Sequence, residues 1–421
     1  MAKLAIHGGR KVLPKGVGVT WPQFDKTDER ALLKVFRSGT WWRGGSIDQM
    51  AASECGRFER AFAKYHNAHS GLCVPNGTIA LELAMRCAGV KAGDEVIVPA
   101  MSFVVSASAA LPLGAVPVFA DADPKTYQPD PAAIEAAITP RTTCIVIVHF
   151  GGYPADLDRI VRIARKHRIP LVEDCAHAQG TQWRGRGVGT YGQFGTFSFQ
   201  QSKGLTSGEG GIVLAGNRAD WLKLYRFHHL GRLESKGFYD FYEVSSNLRM
   251  TDLQGALLNT QFAKLKKQIP AKNAADKYLS KLLRQIGGLE PLPDDKRITR
   301  RGYYFCLLRY DPKAFKGLHR EDFLAALRAE GVPVGHAYGT AINRYPLFQN
   351  YKVPAKYTKS QYRKVRCPVA EYATKNECVS IGHTVLLADR KTLGKIADAV
   401  VKVKDHADEL VKAARKKTRR K

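Results

Sequence analysis

Between residues 90 and 215 the chain repeats one pattern: a short, nearly unbroken apolar run followed by a longer stretch in helical period. The runs Glu95–Pro99, Val116–Ala120, Cys144–Phe150, Pro170–Asp174, Gly195–Phe199 and Gly211–Leu214 have the length of strands. A strand that is apolar on both faces is covered on both faces, which happens in sheets flanked by helices. Amphipathic segments such as Ser102–Leu113 and Pro154–His167 lie between the earlier runs. That order implies an α/β layered domain around a mainly parallel sheet. Gly77–Cys87, after Cys73–Pro75, reads as a helix with Asn76 as its N-cap.

After Met250 the texture changes. Thr251–Lys267 and Ala274–Gln285 read as helices, Gly287–Asp295 and Asp311–Gly317 as loops. Tyr303–Arg309 alternates like a strand, Glu321–Glu330 reads as a helix, and Thr392–Lys412 as a long one. A chain of 421 residues exceeds a single small core. The expected organisation is a large α/β domain over residues 1–260, a smaller α+β domain over 261–404 and a basic tail over 405–421.

Composition narrows the class. No apolar run approaches the roughly 18 residues of a membrane span, and Met1–Val12 lacks the apolar stretch of a secretory signal. The eight cysteines are scattered without a C-x-x-C pair, so metal-ligand spacing is absent. A reduced, cytoplasmic protein with no metal and no membrane association is expected. The net charge of +28 is densest from Lys412 to Lys421. No nucleic-acid motif accompanies it, so it reads as a solvated basic surface whose field also suits anionic ligands.

Three short segments carry chemistry. The strand within Leu171–Ala178 ends in Asp174, where open α/β sheets hold their ligands. Alone, Asp174 is a helix N-cap. Lys203 follows Asp174 by 29 residues, after the strand through Phe199 and before the turn Gly208–Gly211. Alone, it is a solvated charge. Gly77 and Thr78 open a helix, whose free amides and dipole favour a phosphate; alone, they are equally a capped helix without a ligand. Together they offer a phosphate cradle, a carboxylate for a ring nitrogen and an amine for an aldehyde, the requirements of pyridoxal 5'-phosphate (PLP). Asp174 would keep the ring nitrogen protonated; Lys203 would be covalent anchor and proton shuttle.

The chain resembles the DegT/StrS-type sugar aminotransferases, a fold-type I PLP group, from about Trp21 to Val403. The resemblance rests on NGTIAL at 76–81, GDEVIVPAMSF at 93–103, EDCAHAQG at 173–180, FSFQQSKGLTSGEGG at 197–211 and SNLRMTDLQGA at 246–256. It implies a large domain with a mixed seven-stranded sheet plus a smaller α+β C-terminal domain. Asn76, Gly77 and Thr78 fall within its cofactor-binding motif; it implies that Ser198 binds the phosphate, that Phe103 stacks on the ring, and that His177 meets the phenolic oxygen. On composition alone Phe103 would be core. Asn247 matches an asparagine that reaches the cofactor phosphate of the neighbouring subunit, implying a homodimer with shared active sites. The family usually carries a glycine near Ser245 or Ser246, where this chain has serine. The run His228–Arg232 fits a basic substrate-side loop.

Gln200-Gln201-Ser202-Lys203 is similar to the branch acting on cyclitols and related rings. The implied reaction moves an amino group from glutamate or glutamine to a keto-sugar or inosose-like keto-cyclitol; a nucleotide-linked sugar is the other candidate. The related sugar dehydratases carry histidine in place of the lysine, and Lys203 argues against that activity. A non-catalytic regulator with a nucleic-acid-binding basic surface is disfavoured by the intact Asp174 and Lys203.

Overall fold

The computed structural model describes residues 3–237, 239–350 and 359–418. The apolar runs are its strands: β1 (Ser70–Val74), β2 (Glu95–Pro99), β3 (Val116–Ala120), β4 (Thr142–Val148), β5 (Leu171–Asp174), β6 (Phe194–Ser198) and β7 (Gly211–Ala215). They form one seven-stranded sheet in the order β1-β7-β6-β5-β4-β2-β3. Only β7 opposes its neighbours, pairing antiparallel with β1 and β6; the remaining pairs are parallel. The sheet is therefore mixed. Its side chains alternate between two cores, Val96, Val98, Val146 and Val148 in one and Ile97, Ile145 and Ile147 in the other.

Helices cover the sheet. Among them are α1 (Lys26–Ser38), α2 (Glu54–His66), α3 (Gly77–Cys87), α4 (Leu157–His167) and α5 (Arg218–His228). The expected helix over Ser102–Leu113 is much shorter: one turn at Val105–Ser108, then a 3-10 turn at Leu111–Leu113 with Pro112 inside it and Gly114 in the left-handed region after it.

The two helices expected after Met250 are one, α6 (Asp252–Ile286), with Pro270 inside. Proline removes a backbone donor and favours a break, but tertiary packing overrides it. Leu265, Ile269, Ala275 and Leu279 are all buried. This helix packs on α1 and α2 at one end and on the second sheet at the other. That sheet is antiparallel and ordered β8 (Leu289–Pro291), β9 (Phe305–Tyr310), β11 (Cys378–Gly382), β10 (Val334–Gly335). β8 lies in a stretch that reads as loop because of its glycines and prolines; as an edge strand it tolerates Pro291. Helices α7 (Arg320–Ala329) and α8 (Arg390–Asp405) close a core that includes Leu308, Phe323, Ile381 and Val400. We propose a domain boundary inside α6, which both parts share. The last expected helix breaks at His406, and α9 (Ala407–Thr418) follows. Ala407 and Leu410 are buried in the small core, so the basic tail starts docked rather than frayed. Residues 419–421 lie outside the described residues. All eight cysteines are free and buried, and among the described residues no helix is long and apolar enough to cross a membrane.

Candidate active site

Because β7 is antiparallel to both β1 and β6, those two strands run the same way, as does β5 beside β6. The ends of β1, β5 and β6 therefore lie at one edge of the sheet, where α/β folds hold ligands. A cavity of about 530 Å³ opens there. Eight of the nine residues expected to bind a cofactor line it: Asn76, Gly77, Thr78, Phe103, Asp174, His177, Ser198 and Lys203. Asn247 does not line it; it sits in an isolated antiparallel bridge with His229.

One end of the cavity is the start of α3. The Asn76 Oδ1 accepts from the Ile79 amide at 2.9 Å. The Gly77 and Thr78 amides, in the first turn, have no carbonyl within the helix to reach. Ser198, at the end of β6, comes so close that a Cβ on Gly77 would stand 2.7 Å from the serine Cβ. Glycine is required by that approach, which brings a hydroxyl and a helix N-terminus onto one spot, as an anion requires.

Asp174, at the end of β5, also lines the cavity and is only 4% exposed. Its carboxylate accepts from Ser106 Oγ at 2.7 Å and from the Ala176 amide at 3.1 Å. Burial raises its pKa, against the pull of these donors and of Lys203. The preceding Glu173 points to the opposite face, as alternation along a strand demands. It accepts from the amides of Gly189, Tyr191 and Gly192. Burial pushes its pKa up, but its bond with His149 and these amides hold it below the usual carboxylate value. His149 Nδ1 accepts from the Ala155 amide, so Nε2 carries the hydrogen donated to Glu173, at 3.0 Å. Glu173 thus anchors the loop that leads into β6, while Asp174 faces the cavity.

Lys203 is 8% exposed, and its Nζ lies 4.2 Å from the centroid of the Tyr304 ring. Burial lowers its pKa to about 8, partly opposed by the Asp174 charge. His177 Nδ1 accepts from the Gly151 amide at 3.3 Å, so its Nε2–H donates to the Tyr338 hydroxyl at 2.9 Å. Burial, and then the Lys203 charge, push this histidine well below its ordinary pKa, which keeps it neutral. Phe103 is not core: it is 49% exposed, with its ring 5.5 Å from that of Tyr338.

Sequence reasoning missed Ser106, Tyr304 and Tyr338. The Ser102 and Ser106 hydroxyls lie 2.9 Å apart, though Ser102 precedes the single helical turn at Val105–Ser108, so no helix period announces the pair. Tyr304 and Tyr338 come from the second sheet's side of the chain, and no local pattern announces them.

The model of the DegT/DnrJ/EryC1/StrS aminotransferase family matches residues 22–401. The chain belongs to this family. It is a PLP-dependent aminotransferase. It is 38% identical to the L-glutamine:2-deoxy-scyllo-inosose aminotransferase of Streptomyces kanamyceticus, over 96% of this chain and 97% of that one. Identity to the 3-amino-5-hydroxybenzoate synthase of Amycolatopsis mediterranei is 37%, over 91% of this chain and 97% of that one. The crystal structure of 3-amino-5-hydroxybenzoic acid synthase superposes with a TM-score of 0.82 at 36% identity, covering 92% of this chain and 98% of that chain. The residues of the aminotransferase's cavity fit the cofactor: a helix start that a Cβ at 77 would disrupt, a buried carboxylate and a primary amine of lowered pKa all line it.

Proposed function

We propose that this aminotransferase moves an amino group from glutamine or glutamate to the ketone of an inosose-like cyclitol. The observation that carries the reading is Lys203 and Asp174 lining one cavity with the start of α3. PLP, when bound, supplies an aldehyde that takes up amino groups and a ring that accepts electron density. In this reading Gly77, Thr78 and Ser198 hold the phosphate, Asp174 holds a proton on the ring nitrogen, and Phe103 covers the ring at the cavity mouth. Asp174 is raised by burial, and an adjacent ring cation would return it to the charged form. Burial lowers the pKa of Lys203 to about 8, which favours the free amine more than in an exposed lysine. Lys203 would hold the cofactor through its amine and, once freed by the donor, would be the base that takes a proton from the donor's α-carbon. His177, neutral and held by Tyr338, offers a fixed polar contact.

The cyclitol assignment is supported by the relatives that act on inososes. Purified holoenzyme given glutamine and 2-deoxy-scyllo-inosose should form the cyclitol amine, detected by mass spectrometry. If nucleotide-linked keto-sugars turn over and no cyclitol ketone does, the assignment is wrong.

We also read the enzyme as a homodimer that shares its sites. Asn247 lies outside its own chain's cavity, beside an apolar surface where Phe241 is 54%, Tyr242 51% and Val244 88% exposed. Trp41 and Trp42 are also exposed, and Arg249 lies over the Trp42 ring. A second copy is the occupant such a patch suits. A reduced, cytoplasmic setting agrees with the free, buried cysteines.

A further inference from the structure

Behind Lys203 lies a buried row of polar groups that the site above does not use. Lys272, on α6, is 1% exposed. Burial brings its pKa down to about 7, and among the described residues no carboxylate pairs with it. Its Nζ lies 3.1 Å from Nδ1 of His383. His383 follows β11, is 4% exposed, and has its Nε2 3.2 Å from the carbonyl oxygen of Ser202.

The direction of these bonds is determined by chemistry. A carbonyl only accepts, so His383 Nε2 carries hydrogen and its Nδ1 is a lone pair in the neutral ring. Lys272 then donates to Nδ1 whether or not it is charged. Burial, with the Lys272 charge next, brings His383 down to about 3, so the ring stays neutral and the direction holds. The last acceptor, Ser202 O, belongs to the peptide unit whose nitrogen is that of Lys203. The neighbouring carbonyl, Gln201 O, accepts from the Trp21 indole at 3.0 Å, and the Trp21 ring meets His383 edge-on at 4.6 Å. The His383 amide also holds Tyr304 O at 3.1 Å, and the Tyr304 ring is the one beneath the Lys203 amine. The charged groups acting on the row are Lys203, which bears on His383, and Asp174, which bears on Lys203.

Burying an amine with no carboxylate partner is costly, and an apolar side chain of the same length would fill the space without that cost. The row joins the long helix, the small sheet and the loop that carries the reacting amine. We propose that Lys272 and His383 are positioning residues that aim Lys203 through the Ser202–Lys203 peptide. The proposal rests on the reading of Lys203 as the reacting amine.

The test uses holoenzyme. Lys272→Met should keep its cofactor but lower kcat about tenfold or more, because small displacements of a reacting group are costly. KM for the amino donor should stay within about twofold. The midpoint of the bound cofactor's absorbance change with pH should move. His383→Gln can still donate to Ser202 O and should retain several times the kcat of His383→Leu. A role in stability alone would lower the melting temperature and leave kcat and the absorbance midpoint at wild-type values; that result overturns the proposal. Should Lys272→Met fail to fold, the two His383 variants decide: equal kcat and an unmoved midpoint also overturn it. Borohydride reduction of the wild type with peptide mapping separates the underlying reading. An adduct on another lysine sinks the reading of Lys203. An adduct on Lys203 with unaffected variants sinks only the positioning role.

Discussion

Two buried polar regions of this chain are built on opposite principles. At the sheet edge, Asp174 has its donors in Ser106 and Ala176, and Glu173 has His149 and three backbone amides. Around Asn247 the balance is cationic. Arg43, His228, His229, Arg232 and Arg249 crowd together; Arg232 and Arg249 face the two ring nitrogens of His229, and a neutral ring can accept through only one of them. Within this group Arg43 pairs with Glu59. Arg43 Nε and Nη1, Arg249 Nε and His228 Nδ1 are buried without a hydrogen-bond partner among the described residues. Buried donors in native proteins are nearly always satisfied. The first region is complete within one chain; the second has the character of a half-site, which supports the proposed sharing between two copies.

Breaking the complete region should have the largest effect. Lys203→Ala should lower turnover by about 10⁴-fold or more and leave PLP held without a covalent link. Kinetics and borohydride mapping check both parts. Asp174→Asn keeps the shape and removes the charge; a loss of about 10²- to 10³-fold is expected. A single-turnover rate within tenfold of wild type would count against its role.

The same lysine predicts a pH effect in the apoprotein. Its folded-state pKa of about 8 lies below the ordinary lysine value of 10.5. Below pH 8 it is protonated in both states and the burial penalty is fully present. Between about 8 and 10.5 the unfolded chain binds more protons, so stability rises with pH. Relative to Lys203→Met, wild-type apoprotein should gain on the order of 3 kcal/mol across that window, measured by urea unfolding. A flat difference would show that the amine is not desolvated.

The half-built region gives a different signature. Asn247→Asp should lower activity about 10- to 100-fold by charge repulsion with the phosphate. Mixed with Lys203→Ala under subunit exchange, it should recover part of wild-type activity. A fully active monomer in sedimentation would remove the contrast between the regions. The smallest effect belongs to the tail: deletion after Lys412 should change turnover less than about twofold, since the buried Leu410 is kept. A large loss with the fold intact would place the tail in the active assembly.

Much of the sheet was legible because its strands are apolar on both faces, a pattern that leaves few alternatives. Asp174, Lys203 and the start of α3 were legible because each stands at a strand end. β1 was harder: Gly71 interrupts a short run, and its pairing partner is distant in sequence. The helical stretches Thr251–Lys267 and Ala274–Gln285 are joined through Pro270 into one helix because its residues on both sides are packed. Tyr304, Tyr338 and the Lys272–His383 pair were not legible at all. Their meaning comes from the second sheet folding back onto the first, and tertiary proximity leaves no local period. His177 was legible as a site residue, but its hydrogen-bond partner Tyr338 was not.

The one antiparallel strand has a consequence for how the enzyme is made. β1 is complete by residue 74, yet its only neighbour in the sheet is β7, at residues 211–215. The start of α3 that follows β1, proposed above as the phosphate cradle, also leans on that strand, for a Cβ on Gly211 would stand 2.6 Å from the Asn76 carbonyl oxygen. On a growing polypeptide the cradle therefore waits for about 140 further residues before it has a wall to rest against. Closing so long a loop is slow relative to local pairing. The anion site should be among the last parts of the sheet to acquire protection from hydrogen exchange during refolding, after the β2–β3 and β4–β5 pairs.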